Sequence, residues 1–437
     1  MTGAVEPDEG RPAATARVPT TVRFRVMFGL AMVALISYLV RGAVSVSEST
    51  IRSELDLSLE QSGWFMGAFF WSYALFQVPA GWWSQRHGTR ITLALFAVAW
   101  SAAALMLGLA SGFAVLICAQ LLMGIAQAGV FPAACSSIAK WMPLSRRSIA
   151  CAALAIGMQL GAIAASVATA ELLEPVGWRW LFALTSLPGF VWAIWFWCRF
   201  RDDPRQHPQV NDEEVALIYA GGDQGASNEG PTQPTPWWTI VRHSTLWFLC
   251  GQQICRAAGY MFFASWFPTF LQNTRGVSVS ESGYLQALVF SGTLLGSLCG
   301  GMLTDWIWRR SGSLRLSRSG VGAVALASCG LLILSSWFVE SATLAVSLMA
   351  AGSLCAALAG PCAFSATIDV GGRYVPQVFG VMNMAGNLAA AACPIAVAMM
   401  FRWTANWDLV LLVFAAIYLC GALSWILVDP NKKVVDV

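Results

Sequence analysis

Phe24 to Glu48 reads FRVMFGLAMVALISYLVRGAVSVSE, an apolar run long enough to cross a bilayer with Arg25 at its edge and a second guanidinium, Arg41, set deep inside it. A charged side chain near mid-bilayer costs at least about 2.5 kcal/mol on insertion scales, so it needs compensation. Two arrangements supply it. Arg41 either faces an aqueous path that admits an anion, or pairs with Glu48, two helical turns along on the same face. Runs of this kind recur along the chain, and their number decides the fold.

Of 437 residues, 57% are hydrophobic and only 11% charged, against roughly 25% charged in a soluble domain. Counting runs of about twenty apolar residues predicts spans at 24–47, 60–83, 91–110, 112–139, 147–170, 180–199, 244–271, 282–304, 318–338, 342–368, 375–401 and 407–428. The expectation is an all-α membrane protein with twelve transmembrane helices. Residues 1–22, rich in Pro, Ala, Glu and Arg, read as a disordered tail with no apolar signal of their own. Residues 201–243 read as a linker between bundles 23–200 and 244–428, and 429–437 as a second tail. Lys and Arg concentrate on one face (Arg23, Arg25, Arg86, Arg90, Lys140, Arg146, Arg201, Arg309, Arg310, Arg315, Arg373, Lys432), leaving Arg52, Arg179, Arg275 and Arg402 opposite. The positive-inside rule then makes the chain a multi-pass inner (plasma) membrane protein with both termini cytoplasmic.

The halves repeat. Ser58, Ser62, Gly63, Trp64, Gly81 and Gln85 recur at an offset of 220 as Ser278, Ser282, Gly283, Tyr284, Gly301 and Asp305. Two pseudo-symmetric six-helix bundles of parallel repeats place a substrate site at the midplane between them. All twelve cysteines lie scattered among apolar residues without metal spacing, and His87, His207 and His243 fall in polar connections. These patterns point to no metal, no cofactor and no disulfide. No P-loop and no Ser/His/Asp arrangement is present, so neither an ATP-driven pump nor an enzyme is expected.

The turn Gly81-Trp-Trp-Ser-Gln85-Arg86-His87-Gly88-Thr89-Arg90 resembles the G-x-x-x-D-R-x-G-x-R signature of the major facilitator superfamily. The resemblance implies a gating role for Gly81, Arg86, Gly88 and Arg90, and for Asp305 and Arg309 in the second half. Gln85 replaces the usual acid, which weakens the first-half charge relay. Further stretches are similar to the anion:cation symporter family: Tyr73 to Gly81, Gly124 to Ala133, Gly177-Trp178-Arg179, Trp266 to Thr269, and Gly380 to Asn387.

Departures from that family matter as much. Proton-coupled members carry an acid before the first-span Arg, and an Arg and a Glu in the fourth span. Here those positions are Val40, Gln120 and Gln127, none of which titrates. Tyr38-Leu39-Val40-Arg41 and Gln127 instead resemble the organophosphate:phosphate antiporter family, whose anion site takes one Arg from the first span and one from the seventh. Arg256 is the seventh-span candidate, either facing the cavity or snorkelling toward the headgroups. Two guanidiniums would clamp a phosphate, sulfonate or carboxylate with paired hydrogen bonds. Gln159, Asn383, Asn387, Tyr38, Tyr73 and Tyr260 complete the candidate site, and Glu48 is the candidate coupling acid.

The expected function is a monomeric secondary active or facilitative carrier of a small organic anion by alternating access. It acts as a symporter or an antiporter, with protons or a counter-anion as coupling partner and no nucleic acid bound. An organophosphate/phosphate-type exchanger and a transporter-like sensor of an anionic ligand are the alternatives. A cation efflux antiporter would need an acidic cavity, which the shortage of buried acids opposes.

Overall fold

Apolar periodicity becomes helix throughout. The computed structural model describes residues 18–143, 146–219, 237–371 and 375–433, and no strand occurs among them. Most of the expected N-terminal tail, the Gly- and Ser-rich part of the linker (220–236), Arg373 and residues 434–437 lie outside the described residues. The first half comprises α1 (Val22–Glu54), α2 (Leu59–His87), α3 (Thr89–Gly108), α4 (Phe113–Ala128), its continuation α5 (Val130–Trp141), and α6 (Arg147–Arg199). The connection carries α7 (Asp212–Tyr219) and α8 (Trp237–Arg242). The second half comprises α9 (Ser244–Ser265), α10 (Phe267–Arg275), α11 (Val279–Ser311), α12 (Val321–Ser336), α13 (Ala342–Gly371), α14 (Val375–Thr404) and α15 (Trp407–Leu427).

Nine stretches among the described residues are long and apolar enough to cross a membrane. One of them, Ala150–Arg199, is far longer than the roughly 30 Å hydrocarbon core needs. It is two spans meeting at Gly177, whose φ of 75° leaves the helical region. With α2 and the broken helix α9–α10, the spans number twelve, matching the apolar runs.

The 220-residue repeat is visible as structure. Ser58 and Ser278 both N-cap their helices, accepting from the backbone N–H of Gln61 and Glu281 at 3.1 Å each. Gly63 lets α2 approach the Pro394 carbonyl of α14, and Gly283 lets α11 approach the Ser166 carbonyl of α6. A Cβ would stand 2.9 and 2.8 Å from those oxygens. Each half thus lays its second span against the other half.

The connection is folded onto the first half. Asp202 accepts from the N–H groups of Thr89 (2.6 Å) and Arg90 (3.1 Å), capping α3. Gly88, at φ 81°, turns the chain tightly beneath that carboxylate. Glu214 of α7 accepts from the N–H groups of Val22 and Arg23 and pairs with the Arg23 guanidinium at 2.9 Å, capping α1. Acids at helix N-termini satisfy orphan N–H groups and complement the helix dipole.

Candidate binding site

Arg41 lies just past the middle of α1, and its surroundings are aromatic. The guanidinium carbon stands 4.6 Å from the Tyr38 ring centroid, 5.0 Å from Phe69, 4.7 Å from Phe70 and 6.0 Å from Tyr73. It makes no hydrogen bond or ion pair with any other described residue. The Arg41–Glu48 pair considered above does not form. Glu48 is fully buried, accepts from Arg52 Nε at 2.8 Å, and accepts from the Thr269 hydroxyl at 2.6 Å.

Arg41 lines a cavity of about 40 Å³ between the halves, room for only a few waters. Tyr38, Ser45, Phe69, Phe70 and Gln120 line it from the first half, and Tyr260, Ala264, Ser265 and Phe290 from the second. No acid is among the lining residues. Tyr260 is within electrostatic reach of both Arg41 and Arg256.

The other candidates distribute unevenly. Gln127 is buried and donates to the Ser37 carbonyl at 3.2 Å, so it braces α4 on α1 and does not line the cavity. Arg256 is half-buried one helical turn from Tyr260, donates to Gln253 Oε1 at 3.0 Å, and reaches toward Gly360 of α13. It lines no part of the Arg41 cavity. Asn387 donates to Gln77 Oε1 at 3.1 Å, joining α14 to α2. Asn383 sits one turn away, half-buried. Gln159 keeps a buried Oε1 without a donor. No group of three or more metal-binding side chains occurs among the described residues.

Polar bonds between the halves cluster at the end away from the chain termini. Gln286 is buried and ties three elements: it accepts from Ser166 at 2.8 Å and donates to Ser45 at 3.0 Å and to the Phe263 carbonyl at 2.8 Å. Glu48–Thr269, Glu60–Arg402 and Glu171–Tyr284 lie at the same end. Nearer the terminal end the bundles are bridged by Asn387–Gln77. There Arg90 donates to the Trp197 carbonyl at 2.6 and 2.8 Å, Arg86 is exposed, and Gly81 faces Pro132 of α5. Asp305 and Arg309 are exposed and form no ion pair among the described residues, whereas Arg318 pairs with Asp369 at 3.1 Å.

Sequence reasoning noted Gln120 only as a lost charge and passed over Phe69, Phe70 and Gln286. The Phe69-Phe70 pair had a legible signal, since both lie one turn from Tyr73, already a candidate on the same span. Gln286 had one too, a glutamine three residues after the repeated Gly283.

Two like helical bundles meeting around a cationic, aromatic-lined chamber define a multi-pass membrane carrier. The chain belongs to the Major Facilitator Superfamily, whose family model matches residues 30–394. It is 26% identical over 408 residues to a protein described as "Probable sulfoacetate transporter" of Cupriavidus necator, covering 93% of this chain and 94% of that one. It is 26% identical over 428 residues to the D-galactonate transporter of Escherichia coli, covering 96% and 98%. Among solved structures, a bacterial homologue of the human lysosomal transporter Spinster superposes with a TM-score of 0.73 at 20% identity, covering 93% of this chain and 94% of that one.

Proposed function

We propose that this protein moves a small organic anion, a sugar acid or short sulfonate, across the membrane by alternating access, with Arg41 as the charge anchor. One observation carries the reading: a guanidinium without an acid partner lines the chamber between the halves. An anion supplies there the charge that the protein withholds. The relatives' names, an acid and a sulfonate carrier, agree with that chemistry.

The bonds gathered at one end of the bundle interface support a pivoting mechanism, with that end closed and more densely bonded than the rest of the interface. On the positive-inside rule the closed end is periplasmic, the termini are cytoplasmic, and the inner membrane is the site of action. Gln120, Ser45, Ser265 and Tyr260 offer hydrogen bonds to hydroxyls or sulfonate oxygens. Since no acid lines the chamber, exchange against a counter-anion is favoured over proton symport.

The test is counterflow in proteoliposomes with sulfoacetate, galactonate, glucarate and glycerol 3-phosphate, each with and without a pH gradient. Arg41→Ala should abolish exchange while the protein stays monodisperse, and Arg41→Lys should lower it sharply because a bidentate contact is lost. Full exchange by Arg41→Ala would exclude Arg41 as the anchor.

A further inference from the structure

A second cavity, roomier than the first, is remote from Arg41. A groove of about 500 Å³ opens between α11 and α12 near the terminal end of the second half. Both helices pack along α13 and splay apart from one another, and α13 supplies the floor through Cys355 and Leu358. Leu303, Trp306 and Ile307 form one wall, and Val321, Val324, Ala325 and Ser328 the other. The turn Leu316–Gly320 is π-helical, and its wide winding sets α12 away from α11. The walls are apolar except at one end.

That end carries charge. Arg310 lines the groove and lies over the Trp306 ring at 5.0 Å. Arg315 precedes Leu316, another lining residue, and Arg309 precedes Arg310. All three arginines are exposed and form no ion pair among the described residues. Asp305, one turn before Arg309, is the neighbouring acid and also forms no ion pair among the described residues. Asp369 is occupied by Arg318. The rim therefore keeps a positive excess.

An apolar trough within a membrane-spanning wall cannot stay empty, because the bilayer supplies acyl chains to it. Basic pockets between spans on the cytoplasmic side select anionic head groups. The geometry points to a binding site for an anionic glycerophospholipid, with one acyl chain in the α11–α12 groove and the phosphate on Arg310 and Arg315. The occupant is a membrane lipid and not a transported anion, since the groove lies on the outside of one bundle and takes no residue from the other.

Native mass spectrometry of the full-length protein, released from nanodiscs of equal phosphatidylglycerol and phosphatidylcholine, reads the site directly. Phosphatidylglycerol adducts should predominate. Each arginine changed in Arg310→Gln and Arg315→Gln should weaken retention about fivefold. Ser328→Phe, which fills the trough and leaves the rim intact, should displace the lipid as well, so loss in both variants identifies head group and chain together. Free glycerol 3-phosphate should not compete. Equal retention of both lipids by the wild type, undiminished phosphatidylglycerol in both variants, or displacement by glycerol 3-phosphate alone would each overturn the assignment.

Discussion

Thr269→Val removes one hydroxyl from the closed end of the bundle interface and should shift the balance between its closed and open states. The Thr269 hydroxyl donates to Glu48 Oε2 at 2.6 Å, and both residues are 1% exposed. A hydrogen bond to a charged group contributes about 1.5–3 kcal/mol net. Valine keeps the shape, so the loss falls on that bond and on a buried carboxylate oxygen left without its donor. In a state open at this end water reaches Glu48, and the same substitution costs little there. The closed state should therefore lose roughly tenfold to a hundredfold of its population advantage. Arg402→Gln is the control: Arg402–Glu60 joins the same two halves, but its side chains are 64% and 34% exposed, so its removal should cost at most about 1 kcal/mol. Spin labels on bio-orthogonal amino acids at Ser53 and Asn273, exposed at that end, report the separation by double electron–electron resonance. Thiol labelling is unsuitable because five native cysteines are exposed. An unchanged distance distribution in folded Thr269→Val, or an equal response to Arg402→Gln, would refute Glu48–Thr269 as the latch.

Asp202→Ala should lower the thermal midpoint in detergent, since a lost N-cap costs about 1 kcal/mol and both Thr89 and Arg90 N–H groups lose their acceptor. Gln120→Ala should raise KM for the transported anion without destabilising the protein, whereas Gln127→Ala should lower the midpoint and leave KM nearly unchanged, because only Gln120 lines the cavity. In the connection, burial chiefly lowers the pKa of His207 from its ordinary 6.5, with the charges of Arg201 and Arg25 adding to it against the Arg199 carbonyl and Glu214. Its neutral form fits: Nε2–H donates to the Arg199 carbonyl and Nδ1 accepts from the Gln209 N–H. Because the folded pKa is depressed, the stability His207 contributes is complete above about pH 6.5 and is lost as pH falls through the folded value. Protection factors of the α7 amides, corrected for the intrinsic exchange rate at each pH, should fall below about pH 6.5 in the wild type and show a flatter pH response in His207→Gln.

The spans were legible because twenty apolar residues have few other uses, and the repeat was legible because caps and close-packing glycines leave little choice of residue. The depth of a side chain within a span was harder to read. Gln120 and Gln127 are seven residues apart and share a helical face, so periodicity cannot tell them apart. They differ by two turns along α4, about 10 Å, and only the level at which the halves meet selects Gln120. Glu48 posed a similar problem. Two turns from Arg41 and one from Arg52, it could take either partner on spacing alone. The chain breaks between α9 and α10 at Trp266, and Thr269 just beyond the break donates to the Glu48 carboxylate. Arg256 was found as an intramembrane charge, but its offset from the repeat placed it beside Gln253 and Gly360.

How a membrane tolerates Arg41 without an acid follows from the rings around it. Each cation–π contact contributes about 0.5–2 kcal/mol, and three of the four rings lie within about 5 Å of the guanidinium. Together they offset an insertion cost of roughly 2.5–3.5 kcal/mol. A carboxylate would offset it equally well but would neutralise the charge and compete with any anionic guest. Rings leave the charge available. They also fill the space: a cavity of about 40 Å³ is far below the roughly 300 Å³ at which small-molecule sites begin. Tyr38, Phe69 and Phe70 belong to one half, and Tyr260 and Phe290 to the other, so the chamber enlarges when α9 and α11 move relative to α1 and α2. An anion that displaces the rings from Arg41 therefore binds better to a rearranged interface than to this one. Differential affinity of that kind is what lets a ligand shift a conformational equilibrium.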